Sequence, residues 1–120
     1  MKRWRFVSGL LTALLALTVW GGAKEPGEIV IIHTNDVHCG YLAYDKVAAL
    51  AEEADCLIDA GDAIQGDVVG TLSEGGYIVE IMNELGYDLA VPGNHEFDYG
   101  MDRFLELVEA ADYPYIAATS

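Results

Sequence analysis

Residues 29–38 have the sequence IVIIHTNDVH, in which an apolar run gives way to a polar segment. The apolar residues favour extended structure and predict a buried strand over residues 29–32. Asp36 and His38 follow it, and because alternate side chains of an extended segment point the same way, we expect both to face one ion. A carboxylate oxygen with an imidazole nitrogen favours Zn, Mn, Fe or Co over Ca. An Asp-x-His triplet is also common in polar loops, so its meaning depends on the rest of the chain.

Three amphipathic helices are predicted after this stretch, from apolar residues at the i, i+3, i+4, i+7 spacing of one helix face. Asp45 is the expected N-cap of the first helix, and Gly86 is the expected left-handed residue that ends the second. The helices cover residues 46–54, about 78–85 and 101–110. Their predicted buried faces contain Val47, Leu50, Ala51 and Ala54, then Ile78, Ile81, Met82 and Leu85, then Met101, Phe104, Leu105 and Val108.

Short extended segments between these helices predict three more strands, over residues 56–59, 88–91 and 114–118. A glycine-rich stretch, residues 61–76, separates the second strand from the second helix. The order is therefore β-α-β-α-β-α-β, which predicts an α/β fold with a mostly parallel sheet and right-handed crossovers. In such sheets ligands bind at the carboxyl ends of the strands, so the loops after the first three strands should share one edge.

Those three loops contain the unusual polar residues of the chain. Asp36 and His38 follow the first strand, Asp62 follows the second, and Asn94 and His95 follow the third. Asp and Asn beside glycine are often plain turn residues, and either later loop alone would fit that explanation. Their combined placement on one sheet edge instead favours a metal site.

These segments resemble the opening motifs of calcineurin-like metallophosphoesterases, and the resemblance covers nearly all of residues 28–120. The motifs are Asp36-Val37-His38, Gly61-Asp62-Ala63-Ile64-Gln65-Gly66 and Gly93-Asn94-His95-Glu96-Phe97-Asp98. Two longer forms, His33-Thr34-Asn35-Asp36 and Asn94-His95-Glu96-Phe97-Asp98, are similar to the exported bacterial branch of 5′-nucleotidases and 2′,3′-cyclic phosphodiesterases. The resemblance implies that residues 24–120 are a truncated amino-terminal part of the catalytic domain, the first half of an αββα sandwich.

The resemblance also implies a role for each matching residue. Asp36 and His38 would hold one divalent cation, Asp62 would bridge two cations, and Asn94 would bind the second. The two cations would be Zn, Mn, Fe or Co. His95 would stabilise or protonate the departing ester, and Asp98 would orient and charge the His95 ring.

Three further residues of these motifs receive separate predictions. We expect a structural role for His33, because it lies at the end of the strand and an odd number of positions from Asp36. Glu96 is predicted to be an acceptor around the site rather than a ligand, as in the family pattern. The role of Gln65 stays open.

The resemblance predicts an exported phosphoric-ester hydrolase, most closely a 5′-nucleotidase, that acts on a small nucleotide. A 2′,3′-cyclic-nucleotide phosphodiesterase with 3′-nucleotidase activity is the alternative enzyme, and a non-catalytic exported metal-binding fragment is the alternative of another class. The later histidine motifs of the family are missing, since His33, His38 and His95 are the only histidines. We therefore expect this chain alone to be inactive.

The first 23 residues have the pattern of a cleaved export signal. Lys2, Arg3 and Arg5 precede an apolar stretch over residues 9–20, and small residues follow at positions 21–23. The apolar stretch is shorter than the about 20 residues that span a bilayer, so no stable membrane insertion is expected after cleavage. The predicted location is secreted, periplasmic or at the cell surface.

The charge of the chain excludes one class of partner. The formal net charge is −14, and removal of the three basic residues of the signal gives −14 − 3 = −17. A nucleic-acid polymer requires many basic contacts, and only Lys24, Lys46 and Arg103 remain. A disulfide is not expected either, because Cys39 and Cys56 flank opposite ends of neighbouring strands, roughly 20 Å apart, whereas a disulfide needs Cα atoms within about 7 Å.

Overall fold

Three parallel strands form a sheet within residues 26–117, in the order β1-β2-β3. A computed structural model describes residues 26–117. Its strands are β1 (Ile31–Thr34), β2 (Cys56–Asp59) and β3 (Leu89–Ala90). Its helices are α1 (Tyr41–Ala51), α2 (Val68–Ser73), α3 (Gly76–Leu85) and α4 (Met101–Ala110), with a short 3-10 turn at His95–Phe97. The predicted α/β order with a parallel sheet is confirmed for these three strands.

The sequential strand order determines which face of the sheet is covered. Right-handed crossovers that all proceed in one direction place their helices on the same face. The core accordingly contains Leu57 and Ala90 from the sheet together with Val47 of α1, Met82 of α3 and Leu107 of α4. This one-sided core keeps the strand ends fixed, and the polar loops extend from those ends.

The other face of the sheet has no helix packed on it within residues 26–117. Ile31 of β1 is 58% exposed, and Val91 and Ile116 are exposed as well. The prediction of a buried first strand was therefore wrong, because β1 is an edge strand whose residues on this face meet solvent. His33 is exposed on β1, paired in register with Ile58 of β2.

Two predicted helix faces also need correction. Helix α1 begins at Tyr41 rather than at residue 46, and Asp45 lies inside it instead of capping it. Burial of Tyr44 in the core explains the early start, since packing of an apolar face outweighs a capping signal. Leu50 is exposed, whereas Tyr44 and Val47 are the buried residues of this helix.

Helix α4 has the predicted bounds, 101–110, but a different buried face. Phe104 and Leu107 are buried, whereas Met101 and Leu105 are exposed. Helix α3 buries Ile78, Val79 and Met82 and ends at Gly86, whose positive φ of 73° confirms the predicted left-handed end.

The remaining differences concern short elements. Helix α2 occupies part of the glycine-rich stretch and was not predicted; the side chain of Asp67 caps it by accepting from the N–H of Val68. The predicted fourth strand is reduced to one parallel bridge between Tyr115 and Ala90. Residue 118, the last of that predicted strand, lies outside the described residues.

The remaining predictions concern the export signal, membrane insertion and the two cysteines. The predicted export signal, residues 1–23, lies outside the described residues. Within residues 26–117, no helix is long and apolar enough to cross a membrane. Cys39 is buried, Cys56 is partly buried, and both are free thiols.

Candidate metal centre

The loop after β1 turns through left-handed backbone conformations. Asp36, His38 and Cys39 have φ values of 53°, 48° and 58°. The expected extended conformation of this segment was therefore wrong, although the ligand atoms of Asp36 and His38 do lie close together, as expected. A left-handed φ is uncommon for residues other than glycine, and such strain concentrates at functional sites.

Backbone hydrogen bonds place this loop on the loop after β2. The N–H groups of Asp36, His38 and Cys39 donate to three successive carbonyl oxygens at 3.0, 2.9 and 2.9 Å. The accepting residues are Gly61, Asp62 and Ala63. The two loops thus form one rigid unit at the carboxyl edge of the sheet.

The unit brings three of the predicted ligands together. One ligand atom from each of Asp36, His38 and Asp62 lies within 4.8 Å of the others. The closest described contact in the set joins Nε2 of His38 to Oδ1 of Asp36 at 3.7 Å. Two carboxylate oxygens and one imidazole nitrogen converge on a space of the size that one cation requires.

The ring of His38 is oriented by a contact that the sequence did not reveal. Its Nδ1 lies 3.1 Å from the backbone carbonyl oxygen of Gln65, which can only accept a hydrogen bond. In the neutral tautomer that this contact favours, the proton lies on Nδ1, so Nε2 is the nitrogen that can bind a metal. Because a backbone oxygen makes this contact, no side-chain pattern could have predicted it.

His95 joins the same edge through the loop after β3. Its backbone N–H donates to Oδ1 of Asp62 at 2.8 Å, and its ring centroid lies 5.0 Å from that of His38. Nδ1 of His95 lies 2.7 Å from Oδ2 of Asp98. That hydrogen bond, with further carboxylates nearby, raises the pKa of His95 above its ordinary value of 6.5.

Asn94 is exposed beside His95, directly before the 3-10 turn. Its backbone carbonyl accepts from the N–H of Phe97 at 3.5 Å. The contact between His95 and Asp62 brings the Asn94 loop to the cluster edge. His33 does not belong to the ligand cluster, because it lies within β1, before the loop that carries Asp36.

Similarity to known proteins identifies the family of this chain. The sequence profile described as calcineurin-like phosphoesterase matches residues 29–119. Human 5′-nucleotidase is 35% identical, across 89% of this chain and 23% of its own length. A 2′,3′-cyclic-nucleotide 2′-phosphodiesterase/3′-nucleotidase of Yersinia enterocolitica is 29% identical, across 91% of this chain and 21% of its own length. The structure of the Haemophilus influenzae NAD nucleotidase matches with a TM-score of 0.64 and 28% identity, across 75% of this chain and 20% of that one.

The chain belongs to the calcineurin-like phosphoesterase family. It spans about a fifth to a quarter of the length of the 5′-nucleotidases and related enzymes that it matches. The fold corresponds to part of a metallophosphoesterase domain.

Members of this family bind metals, and the residues present here fit such a group. The cluster offers oxygen and nitrogen donors, which suit a divalent transition metal or zinc. Because Nδ1 of His38 faces the Gln65 carbonyl oxygen, Nε2 is the ring nitrogen that can bind a cation. The fit supports one cation at Asp36, His38 and Asp62.

Glu96 lies next to the candidate metal centre but outside the ligand cluster. It is only 1% exposed, and its carboxylate accepts from the N–H groups of Asp62 at 2.9 Å and Ala63 at 2.8 Å. The prediction of an acceptor role is confirmed. Asp59 is a second buried carboxylate that was not predicted from the sequence, although an acidic residue at an inward position of a strand could have indicated it.

Two glycines in the phosphoesterase motifs are required by close approach. A Cβ on Gly93 would lie 2.3 Å from Oδ1 of Asp62, and a Cβ on Gly66 would lie 2.3 Å from the carbonyl oxygen of His38. Any side chain there would displace a ligand-bearing loop. The glycines thus let three separate loops pack within one small site.

Proposed function

We propose that this chain is part of an exported hydrolase of phosphoric esters, most closely a 5′-nucleotidase, with a two-cation centre. The observation that carries the proposal is the convergence of three ligand atoms within 4.8 Å beside the His95–Asp98 pair. The similarity to 5′-nucleotidases supports a nucleotide as the substrate. Bound divalent cations would supply an activated water and neutralise charge on the phosphate.

In this proposal Asp36 and His38 would hold the first cation, Asp62 would serve both cations, and the side-chain oxygen of Asn94 would bind the second. A shared carboxylate suits two cations about 3.5–4 Å apart, because its charge screens their repulsion. Which of Zn, Mn, Fe or Co is bound follows from availability as much as from the donor set.

The His95–Asp98 pair is the proton-handling part of the proposed site. Asp98 holds Nδ1 of His95, so Nε2 is the ring atom that remains for a substrate. The raised pKa keeps a larger fraction of His95 protonated near neutral pH, as a donor to a leaving alkoxide requires. His95 would then donate its Nε2 proton to the departing ester oxygen, with Asp98 stabilising the charged ring beforehand.

The test of this function uses the natural full-length polypeptide, loaded with Mn²⁺ or Zn²⁺. Phosphate release from a nucleoside 5′-monophosphate should exceed release from the 3′-monophosphate and from a 2′,3′-cyclic nucleotide. The alternative, a cyclic phosphodiesterase with 3′-nucleotidase activity, is supported by the Yersinia relative and predicts the opposite order. Metal binding without turnover of any ester would favour the non-catalytic fragment.

Residues 24–120 alone are predicted to be an incompetent hydrolase. Asp62 and the neutral Asn94 are too few ligands to hold a second cation against water. The exposed apolar residues of the uncovered sheet face, such as Ile31 and Ile116, also favour association of this polypeptide. Mass spectrometry should find at most one weakly held metal per chain. Two tight metals with metal-dependent turnover in a monomer would contradict this prediction.

We also propose that export removes residues 1–23. The charged start, the short apolar stretch and the small residues before position 24 support cleavage after Ala23. Intact-mass analysis of the exported protein should give Lys24 as the first residue. A membrane-bound form that retains Met1 would contradict the prediction.

A further inference from the structure

The turn that carries Asp62 is bound along its backbone by two buried carboxylates. Oδ2 of Asp59 accepts from the N–H of Gly61 at 3.0 Å, and Glu96 accepts from the N–H groups of Asp62 at 2.9 Å and Ala63 at 2.8 Å. Asp59 and Glu96 are each 1% exposed. Three successive N–H groups of one turn therefore have anionic acceptors beneath them.

Glu96 differs from Asp59 because it connects two loops instead of one. Its Oε2 also accepts from the N–H of Gly93, directly before the Asn94–His95 segment. In return, the N–H of His95 donates to Oδ1 of Asp62. The loop after β2 and the loop after β3 are thus joined by hydrogen bonds in both directions.

From these contacts we infer that Glu96 is the positioning residue that fixes Asp62 relative to His95, and that it does so before any cation binds. The inference rests on the proposed function in one respect, the role of Asp62 as a metal ligand. Glu96 itself is buried beneath the turn and does not belong to the ligand cluster of Asp36, His38 and Asp62.

The backbone of Asp62 explains why such a device is needed. Its φ of 58° is left-handed, and a non-glycine residue keeps this conformation only where the surroundings compensate for it. Charge-assisted bonds from a carboxylate to several N–H groups are stronger than neutral ones, so they supply that compensation. An amide in place of the carboxylate would turn an NH₂ group towards a backbone N–H, and at least one of the contacts would be lost.

The test is the affinity of the whole chain for Mn²⁺ in Glu96→Gln, Glu96→Asp and Asp59→Asn variants, measured by calorimetry. Glu96→Gln should weaken binding roughly 10–100-fold, the usual loss when an outer partner of a metal site is removed. Glu96→Asp keeps the charge but shortens the side chain by one methylene, which moves the carboxylate away from the N–H groups. The Mn²⁺ affinity of this variant should therefore be nearly as low as that of Glu96→Gln. Asp59→Asn, which removes a buried carboxylate without a contact to Asp62, should lose much less.

Near wild-type affinity in Glu96→Asp would overturn the inference, because charge alone would then suffice. Equal losses in Glu96→Gln and Asp59→Asn would also overturn it, because any buried carboxylate would then have the same effect. Either result leaves the proposed function intact.

A measurement on the unmodified protein covers the case in which the variants do not fold. In metal-free protein the amide hydrogens of Asp62, Ala63 and Gly93 should already exchange slowly with solvent, because Glu96 binds them. Protection that develops only after Mn²⁺ is added would overturn the inference. If the wild-type chain binds no Mn²⁺ at all, the proposed function fails, while the exchange pattern still decides the role of Glu96.

Discussion

His38 and His95 lie side by side in the centre but differ in the partner of one ring nitrogen. Their ring centroids are 5.0 Å apart, and their side chains are almost equally exposed, 37% and 38%. Nδ1 of His38 faces the neutral carbonyl oxygen of Gln65, whereas Nδ1 of His95 faces the carboxylate of Asp98. Because exposure is matched, the group that faces Nδ1 is the contact that distinguishes the two rings.

One edge of a sheet can therefore hold two histidines with different chemical roles. A carbonyl oxygen fixes the tautomer of a neutral ring and leaves Nε2 ready to bind a cation. A carboxylate favours the charged ring, which can give up a proton. Neighbouring imidazoles can therefore act as a ligand and as an acid without any difference in burial.

The largest effect is expected when His95, the proposed acid, is replaced, and this replacement also tests whether His38 and His95 have different roles. In the active natural polypeptide, His95→Asn should lower turnover by roughly 10²–10⁴-fold, the usual contribution of a positioned proton donor. Its metal content should stay near that of the wild type, because His95 is not in the ligand cluster. The matched control is His33→Asn, which changes an exposed histidine in β1 and should leave turnover unchanged. Loss of metal in His95→Asn would show that the division between ligand and acid is wrong.

The next effect in size concerns the shared carboxylate. Asp62→Asn should weaken metal binding at least 100-fold, more than the about 10–100-fold typical of an outer partner, because it removes charge from the ligand itself. The amide oxygen can still accept from the N–H of His95, so the loop should stay folded. Asp45→Asn, on the exposed surface of α1, is the control. Mass spectrometry measures the metal content of Asp62→Asn and of the wild type. An unchanged metal content would show that Asp62 is not a ligand.

These residues also show how far the sequence could predict the centre. The strand and helix order placed all three loops at one edge, and hydrogen bonds between the loops now hold Asp36, Asp62 and His95 there. The loop conformation was not predictable, because left-handed φ values at Asp36 and His38 are imposed by hydrogen bonds to a loop distant in sequence. Contacts made by backbone atoms leave no signature in side-chain patterns.

The same limit explains the errors in the fold. Periodicity alone placed Met101 and Leu105 on the buried face of α4, but packing against the sheet selected Phe104 and Leu107. An apolar run predicted a buried first strand, whereas Ile31 and His33 of β1 are exposed within the described residues. Helix existence followed from local sequence, and helix orientation depended on partners from elsewhere in the chain.

A smaller effect is expected from the partner of the acid. Asp98→Asn should lower the pKa of His95, because the hydrogen bond to Asp98 is the main cause that raises it. Titration of the imidazole in metal-free protein by NMR measures the change. Asp102→Asn, which removes an exposed carboxylate from the first turn of α4, should leave the pKa of His95 unchanged. An unchanged His95 titration in Asp98→Asn would contradict the comparison.

The sign of the linked effect on stability follows from the same direction. Since the pKa of His95 is raised above 6.5 in the folded chain, the pair stabilises the fold fully below that value. The contribution is lost as the pH rises through the folded pKa. Asp98→Asn should therefore lower the free energy of unfolding more below pH 6.5 than at alkaline pH. Denaturant unfolding of both proteins in an acidic and in an alkaline buffer measures this, and a larger loss at alkaline pH would contradict the prediction.

The smallest effect is predicted for the partner of the ligand. Gln65→Ala should change the affinity for Mn²⁺ less than about 2-fold, because His38 is held by the backbone oxygen of that residue, which every amino acid supplies. Gly66→Ala, one position later, should weaken binding at least tenfold. Its Cβ would approach the carbonyl oxygen of His38 to 2.3 Å, at a φ of +145° that side chains rarely adopt. Calorimetry with Mn²⁺ compares the two variants. A strong loss in Gln65→Ala would mean that the Gln65 side chain acts on the site directly, and the contrast between a backbone partner for His38 and a side-chain partner for His95 would then disappear.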